Sequence, residues 1–339
     1  MHNIGLVVIG RNEGDRLRKC LQSALGKVSQ IVYVDSGSTD GSQAMAQSLG
    51  VQVVELDLSI PFTAARARNE GFDYLLETNL NLEYIQFVDG DCEIVTGWLE
   101  SAYHKLQSNP KIAVVCGRRR ERFPNQSIYN HLCDLEWDTP VGEAKACGGD
   151  AMMRVTALKE VGGFNPTLIA GEEPELCVRL RQQGWKVFRI DAEMTLHDAQ
   201  MTLFSQWWKR SLRAGHAYAE GAWLHGEPPE RHWVKESLSI WFWGFIVPFL
   251  AFVPYWFTSG FSLLLLSVYP LLAYKIYRSQ IKQGIDAESA RLYALFCLIG
   301  KFAQVRGQIQ FHFGRLRGKG SSLIEYKNVS LVGVNNNPS

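Results

Sequence analysis

A chain of 339 residues can hold one large α/β domain with appendages, and a formal net charge of +1 gives no electrostatic case for nucleic acid as a partner. Seven cysteines, odd in number and without any Cys-x-x-Cys pair, give no sign of a disulfide framework or a zinc site and read as buried thiols of a reducing compartment. An apolar run begins within a few residues of Met1, so no signal peptide is expected.

In chain order, residues 4–9 read as a buried strand, Gly10-Arg11-Asn12-Glu13-Gly14 as a loop, and residues 15–25 as a helix. A second strand at 30–34 ends in Asp35-Ser36-Gly37-Ser38-Thr39-Asp40-Gly41-Ser42, which supplies a turn and helix N-cap candidates. Strands are expected again at 51–54, 85–88 and 112–116, with a helix over 63–76. Strands alternating with helices predict an α/β fold with a mostly parallel central sheet. In such a sheet ligands collect at the carboxyl ends of the strands, where three of the loops fall.

One of those ends is Asp89-Gly90-Asp91, directly after Tyr84-Ile85-Gln86-Phe87-Val88. Side chains two apart project from one side of a strand, and the glycine lets a ligand approach the backbone. Two hard oxygen ligands suit Mg²⁺ or Mn²⁺ with open positions for a diphosphate, although the same residues also make an ordinary turn.

Together, Val7-Val8-Ile9-Gly10-Arg11-Asn12-Glu13, the 34–42 segment, Ala67-Arg68-Asn69-Glu70-Gly71, Asp89-Gly90-Asp91 and the run from Gly171-Glu172-Glu173 to Leu180 resemble glycosyltransferase family 2. The resemblance covers roughly residues 3 to 200. It implies the nucleotide-diphospho-sugar-binding fold called GT-A, a divalent metal and inversion at the anomeric carbon.

Residue by residue, the resemblance places Arg11, Glu13, Asp35, Arg68, Asp89, Gly149 and Asp150 at the donor, with Asp35 reading the nucleoside. Asp91 is the stronger candidate for direct metal contact, Asp89 lies nearer the ribose, and His197 matches a late metal ligand of related transferases. The family's acidic pair is Glu-Asp, whose second acid is the general base; here Glu172-Glu173 stands in its place. Glu173 is favoured as the base and Glu172 is the alternative. A second acid that often follows the Asp35 position is Ser36 here, which leaves the nucleotide open, with a UDP-sugar favoured.

Arg118-Arg119-Arg120-Glu121-Arg122 is expected as a basic loop, either solvated or in contact with phosphate or anionic lipid. Gln206-Trp207-Trp208-Lys209-Arg210 does not match, in order or spacing, the Gln-x-x-Arg-Trp signature of processive synthases. Its tryptophans fit either an acceptor or membrane platform or a packed amphipathic helix.

Residues 237–274 carry no charge. A spanning helix needs about 20 apolar residues, so this run fits two short spans or a re-entrant hairpin turning near Thr258-Ser259-Gly260, with a soluble core hairpin as the alternative. Arg231 and Lys235 before it, and Lys275, Arg278 and Lys282 after it, place both ends in the cytoplasm.

The expected organisation is a catalytic domain over 1–230, a transmembrane or re-entrant hairpin over 237–277, a basic amphipathic helical segment over 285–317 that resembles an interfacial helix, and a flexible tail over 318–339. The expected function is hexosyl transfer from a nucleotide-sugar, with Mn²⁺ or Mg²⁺, to a lipid-linked or glycan acceptor. That activity would serve exopolysaccharide or glycan assembly at the cytoplasmic face of the inner membrane. A processive synthase and a catalytically inactive membrane scaffold are the alternatives.

Overall fold

The computed structural model of the chain describes residues 3–318 together with residue 324. Strands β1 (Ile4–Gly10), β2 (Gln30–Asp35), β3 (Gln52–Glu55) and β4 (Tyr84–Asp89) lie parallel in the order β3-β2-β1-β4. Helices α1 (Asp15–Ala24), α2 (Ser42–Ser48) and α3 (Ala64–Thr78) make the crossovers. Leu6, Val7, Val8, Val32, Tyr33 and Val34 are all fully buried. That is why these strands read as unbroken apolar runs: helices cover both faces of the sheet.

The register brings Gly10 beside Asp35 and Ile9 beside Asp89, so three loops meet at one edge. Gly71 marks how tightly α3 seats, since a Cβ there would lie 2.5 Å from a Val7 methyl.

Beyond β4 the sheet becomes mixed. β8 (Ala151–Arg154) is antiparallel both to β4 and to β6 (Ile112–Glu121), and β6 pairs in parallel with β9 (Lys186–His197). β5 (Cys92–Ile94) and β7 (Gly142–Ala144) close on β9 in the antiparallel sense. Helices α4 (Trp98–Ser108), α5 (Ile128–Glu136), α6 (Val155–Glu160) and α7 (Glu172–Gln182) complete the layers.

The basic run is a strand, not a loop: β6 continues through Arg118, Arg119 and Arg120 to Glu121. The charges sit in a sheet because each meets a carboxylate. Arg118 Nη2 lies 3.2 Å from Asp134, Arg120 Nε 2.7 Å from Glu193, and Arg122 pairs with Glu93. His197 ends β9.

After α8 (Phe204–His225) come α9 (Val234–Trp241), a π-turn at Phe242–Ile246 and α10 (Val247–Phe252). The chain turns through Thr258, whose N–H donates to Pro254, and Gly260, whose φ is +86°. It returns as a 3₁₀ segment (Phe261–Ser267) and α11 (Val268–Lys282), then α12 (Ala287–Leu316), capped by Asp286. Among the described residues one helical stretch, Val234–Phe252, is long and apolar enough to cross a membrane. The predicted tail lies outside the described residues apart from 318 and 324.

Helix α12 packs along α8, and the contact is set by glycine. A Cβ on Gly215 would fall 2.0 Å from the Gln304 carbonyl oxygen, and one on Gly307 2.0 Å from that of Leu212. Small residues at such crossings let helix backbones touch. The segment expected as an interfacial helix is therefore a packed partner of α8, with Arg291, Arg306 and Arg315 on its exposed side.

Candidate active site

Arg68 is the hub of the site. Its side chain is 2% exposed; Nη1 donates to Glu172 Oε1 at 2.7 Å and Nη2 to Asp89 Oδ1 at 2.8 Å, with Glu173 Oε1 at 3.5 Å. Burial works against the guanidinium charge, but Asp89, Glu173 and Glu172 raise its pKa. Helix α3 can place Arg68 there because Thr63 caps its first turn by accepting from the Arg66 N–H.

Glu172 and Glu173 open α7 after Gly171, whose φ of +79° suits glycine. A Cβ on Gly171 would also meet the Trp233 ring at 2.9 Å. Burial, then the charge of Glu172, push the Glu173 carboxyl up to about 7 against the pull of Arg68. A carboxylate poised near neutrality is suited to taking a proton.

Gly149 is the floor of this cluster. A Cβ there would stand 2.7 Å from both Arg68 Nη2 and Asp89 Oδ2, and 3.1 Å from Glu173 Oε1. Only a glycine leaves these groups in place.

Asp150, beside it, is fully buried. It accepts from the Asp89 N–H at 3.0 Å and from Thr195 Oγ1 at 2.6 Å, and pairs with Arg119 at 2.8 Å. Rather than facing a donor hydroxyl, it holds Asp89 and Arg119. Asp35 is similarly enclosed, 1% exposed, accepting from Tyr33 Oη, the Gly37 and Ser38 N–H groups and Gln43 Nε2. Burial opposes its charge, yet these hydrogen bonds hold its carboxyl below the usual range. In this conformation Asp35 shapes its loop instead of presenting a carboxylate to a nucleoside.

The metal candidates fall together. Asp91 Oδ2 lies 3.2 Å from His197 Nε2, and His197 Nδ1 lies 3.4 Å from Glu121 Oε2. The pairing of Cys92 with His197 across β5 and β9 brings this about. Burial disfavours the imidazolium, but Asp91 and Glu121 hold the His197 pKa above its usual value. Ligand atoms of Asp91, Cys92 and His197 lie within 4.8 Å of one another, as do those of Asp89, Cys92 and Asp150. Carboxylate and imidazole suit Mn²⁺ or Mg²⁺ better than the thiol does, so Asp91 and His197 form the fitting donor pair, while Asp89 falls in the second group with Asp150 and pairs with Arg68 and Arg119.

A cavity of about 1000 Å³ is lined on one side by Arg11, Glu13, Asp89, Asp91 and Glu173, with His197 and Asp150 behind its wall. Arg11 stacks over Phe62 at 4.9 Å and Glu13 pairs with Arg16 at 2.6 Å. Trp207 reaches the cavity wall from α8, packed edge-on against Phe296 at 4.8 Å.

Arg119, Glu121, Trp137 and Thr195 were not expected here. Arg119 touches Asp89 at 3.4 Å, and Trp137 stands edge-on to His197 at 4.8 Å. A signal existed: Arg119 and Glu121, two apart in a strand, share a face.

Residues 6–162 match the family model for glycosyl transferase family 2. The chain is 24% identical over 217 residues to the pre-mycofactocin glycosyltransferase of Mycobacterium tuberculosis (strain ATCC 25618 / H37Rv), spanning 59% of this chain and 44% of that protein. It is 26% identical over 196 residues to the succinoglycan biosynthesis protein ExoA of Rhizobium meliloti (strain 1021), spanning 53% of this chain and 57% of that one. These matches take in about half the length of the relatives. Among solved structures, the mannosyltransferase PcManGT from Pyrobaculum calidifontis, in complex with GDP-Man and Mn²⁺, has a TM-score of 0.59 at 14% identity. The likeness covers 92% of this chain and 88% of that one, and shows the same fold of GT-A type.

Proposed function

We propose, from the match of residues 6–162 to glycosyl transferase family 2, that the chain transfers a sugar, with inversion, from a nucleotide-diphospho-sugar to an acceptor hydroxyl. The observation that carries this reading is the Arg68 hub, which joins Asp89 at the strand end to Glu172 and Glu173 at the helix start. Donor-binding and proton-accepting groups thereby face one cavity.

In the mechanism, Glu173 takes the proton of the acceptor hydroxyl as its oxygen attacks the anomeric carbon from the face opposite the leaving group. The bond to the nucleoside diphosphate breaks, and the proton remains on Glu173. Arg68 orients both glutamates, while Gly149 leaves room for the Arg68, Asp89 and Glu173 side chains to meet. A divalent cation held by Asp91 and His197, with Asp89, would offset the charge of the departing diphosphate. Asp150 and Arg119 fix Asp89 for that role.

The acceptor is proposed to be lipid-linked, in polysaccharide or glycan assembly. Supporting this, the hairpin tip exposes Trp256 at 85% and Phe257 at 92%, while its limbs expose Phe249, Leu264 and Leu271. Among the described residues only the first limb, Val234–Phe252, is both long and apolar enough to span, which favours a re-entrant hairpin with both basic flanks on the cytoplasmic side. Full-length protein is then expected to stay in the membrane pellet after carbonate extraction; release into the supernatant would refute the integral hairpin.

The transferase reading is tested by incubating the full chain with UDP-, GDP- and dTDP-sugars and Mn²⁺. Metal-dependent release of one nucleoside diphosphate is expected. Release of none, with a folded protein, would favour the inactive scaffold.

A further inference from the structure

The cavity does not end at the donor groups. Its far wall belongs to α12, where Tyr293, Cys297, Lys301 and Gln304 recur at helical spacing, together with Arg213 and Trp207 of α8. Elsewhere the α8–α12 contact joins small residues such as Gly215, Ala217, Ala303 and Gly307 with larger ones, His216 standing edge-on to Phe311.

Among the described residues, two of the groups on this wall lack partners. Gln304 Oε1 is buried without a hydrogen bond, and among the described residues no hydrogen bond or ion pair engages the Lys301 ammonium. Burial pulls the Lys301 pKa below the usual lysine value, with Cys297 and Glu236 pulling it back. Arg213, by contrast, is committed: its guanidinium donates to the Ile169 carbonyl at 3.1 and 2.7 Å, bracing the chain just before Gly171. A desolvated ammonium and an unsatisfied amide on one cavity wall are costly unless a ligand completes them.

We propose that Lys301 and Gln304 form the acceptor's anion subsite, in which the ammonium binds a phosphate or diphosphate and the amide meets a neighbouring hydroxyl. The inference rests on the transferase reading and names the class of acceptor: a phosphorylated molecule whose hydroxyl end reaches Glu173 while its anionic group lies on α12. The aromatic wall of Trp207, Tyr293 and Phe296 suits the apolar chain of an isoprenyl carrier. A free sugar phosphate would use the same ammonium.

The test titrates the full chain in detergent, with EDTA present, using farnesyl phosphate, glycerol 3-phosphate and farnesol. Wild type is compared with Lys301→Gln and Lys301→Arg. Farnesyl phosphate is expected to bind wild type and to bind Lys301→Gln about tenfold or more weakly, the scale of one hydrogen bond to a charged group. Lys301→Arg should recover most of the affinity, and farnesol should not distinguish the three. Preference for farnesyl phosphate over glycerol 3-phosphate assigns a lipid carrier, and equal affinity with the same dependence on Lys301 assigns a free phosphorylated acceptor. If both phosphates bind wild type and Lys301→Gln equally, or neither binds wild type, the subsite is refuted. Mn²⁺-dependent binding of a nucleoside diphosphate, measured on the same preparations, reports the donor end separately. Its absence from wild type would overturn the transferase reading, whereas its presence beside unaltered phosphate affinity overturns only the subsite.

Discussion

Replacing Glu173 by Gln is expected to lower turnover by at least about 10²-fold while leaving donor binding nearly intact, the scale of a lost general base. The amide keeps the shape of the side chain and its place at the start of α7, but it cannot take a proton. With the carboxyl pushed up to about 7, the wild-type rate should also depend on pH. The ionised form is the active one, so turnover falls as pH drops through that value and levels off above it. Glu173→Gln should lose this acid limb along with the rate. Steady-state kinetics at several pH values, with Glu172→Gln in parallel, decide the assignment. Should Glu172→Gln show the loss and Glu173→Gln remain active, the two roles are exchanged. The geometry favours Glu173, because Glu172 is held at 2.7 Å by Arg68 whereas Glu173 keeps a longer contact of 3.5 Å and a partly open face.

The second large effect is expected at Asp91. Asp91→Asn should abolish transfer and remove most of the metal-dependent part of nucleoside diphosphate binding, since the site would lose its buried carboxylate donor. The fold should persist, because Asn is nearly the same size and the strand pairing of Cys92 with His197 does not need the charge. Calorimetric titration with a nucleoside diphosphate in Mn²⁺ and in EDTA separates the two contributions. An Asp91→Asn protein whose affinity gains as much from Mn²⁺ as wild type would remove Asp91 from the metal site. His197→Ala should show a milder version of the same loss, because the carboxylates remain.

Much of this site was readable because its parts are local. Asp89 and Asp91 sit at a strand end with alternating faces, and Glu172 and Glu173 follow a glycine at a helix start; both patterns are short-range. The basic run was misread for the opposite reason. Arg118, Arg119 and Arg120 look like a solvated loop until Asp134, Asp89, Asp150 and Glu193 arrive from remote parts of the chain. Asp35 and Asp150 illustrate the same limit from the other side. Each is an acid in a position that invites a ligand, and each is saturated by protein donors that only folding supplies.

The amino-acid sequence by itself determined the α/β alternation, the strand ends that meet at the cavity, the acidic pair at the start of α7 and the uncharged run that follows the domain. Periodicity and turn chemistry are properties of neighbouring residues, so they survive in one dimension. Tertiary structure alone decided that Arg68 binds both acidic centres, that Arg119 and Glu121 belong to the site and that α12 lies against α8. It likewise put Lys301 on the wall of the cavity that holds Glu173. The physical reason is that a buried charge is tolerable only beside its partner, and such partners are remote in the chain, 104 residues apart for Arg68 and Glu172.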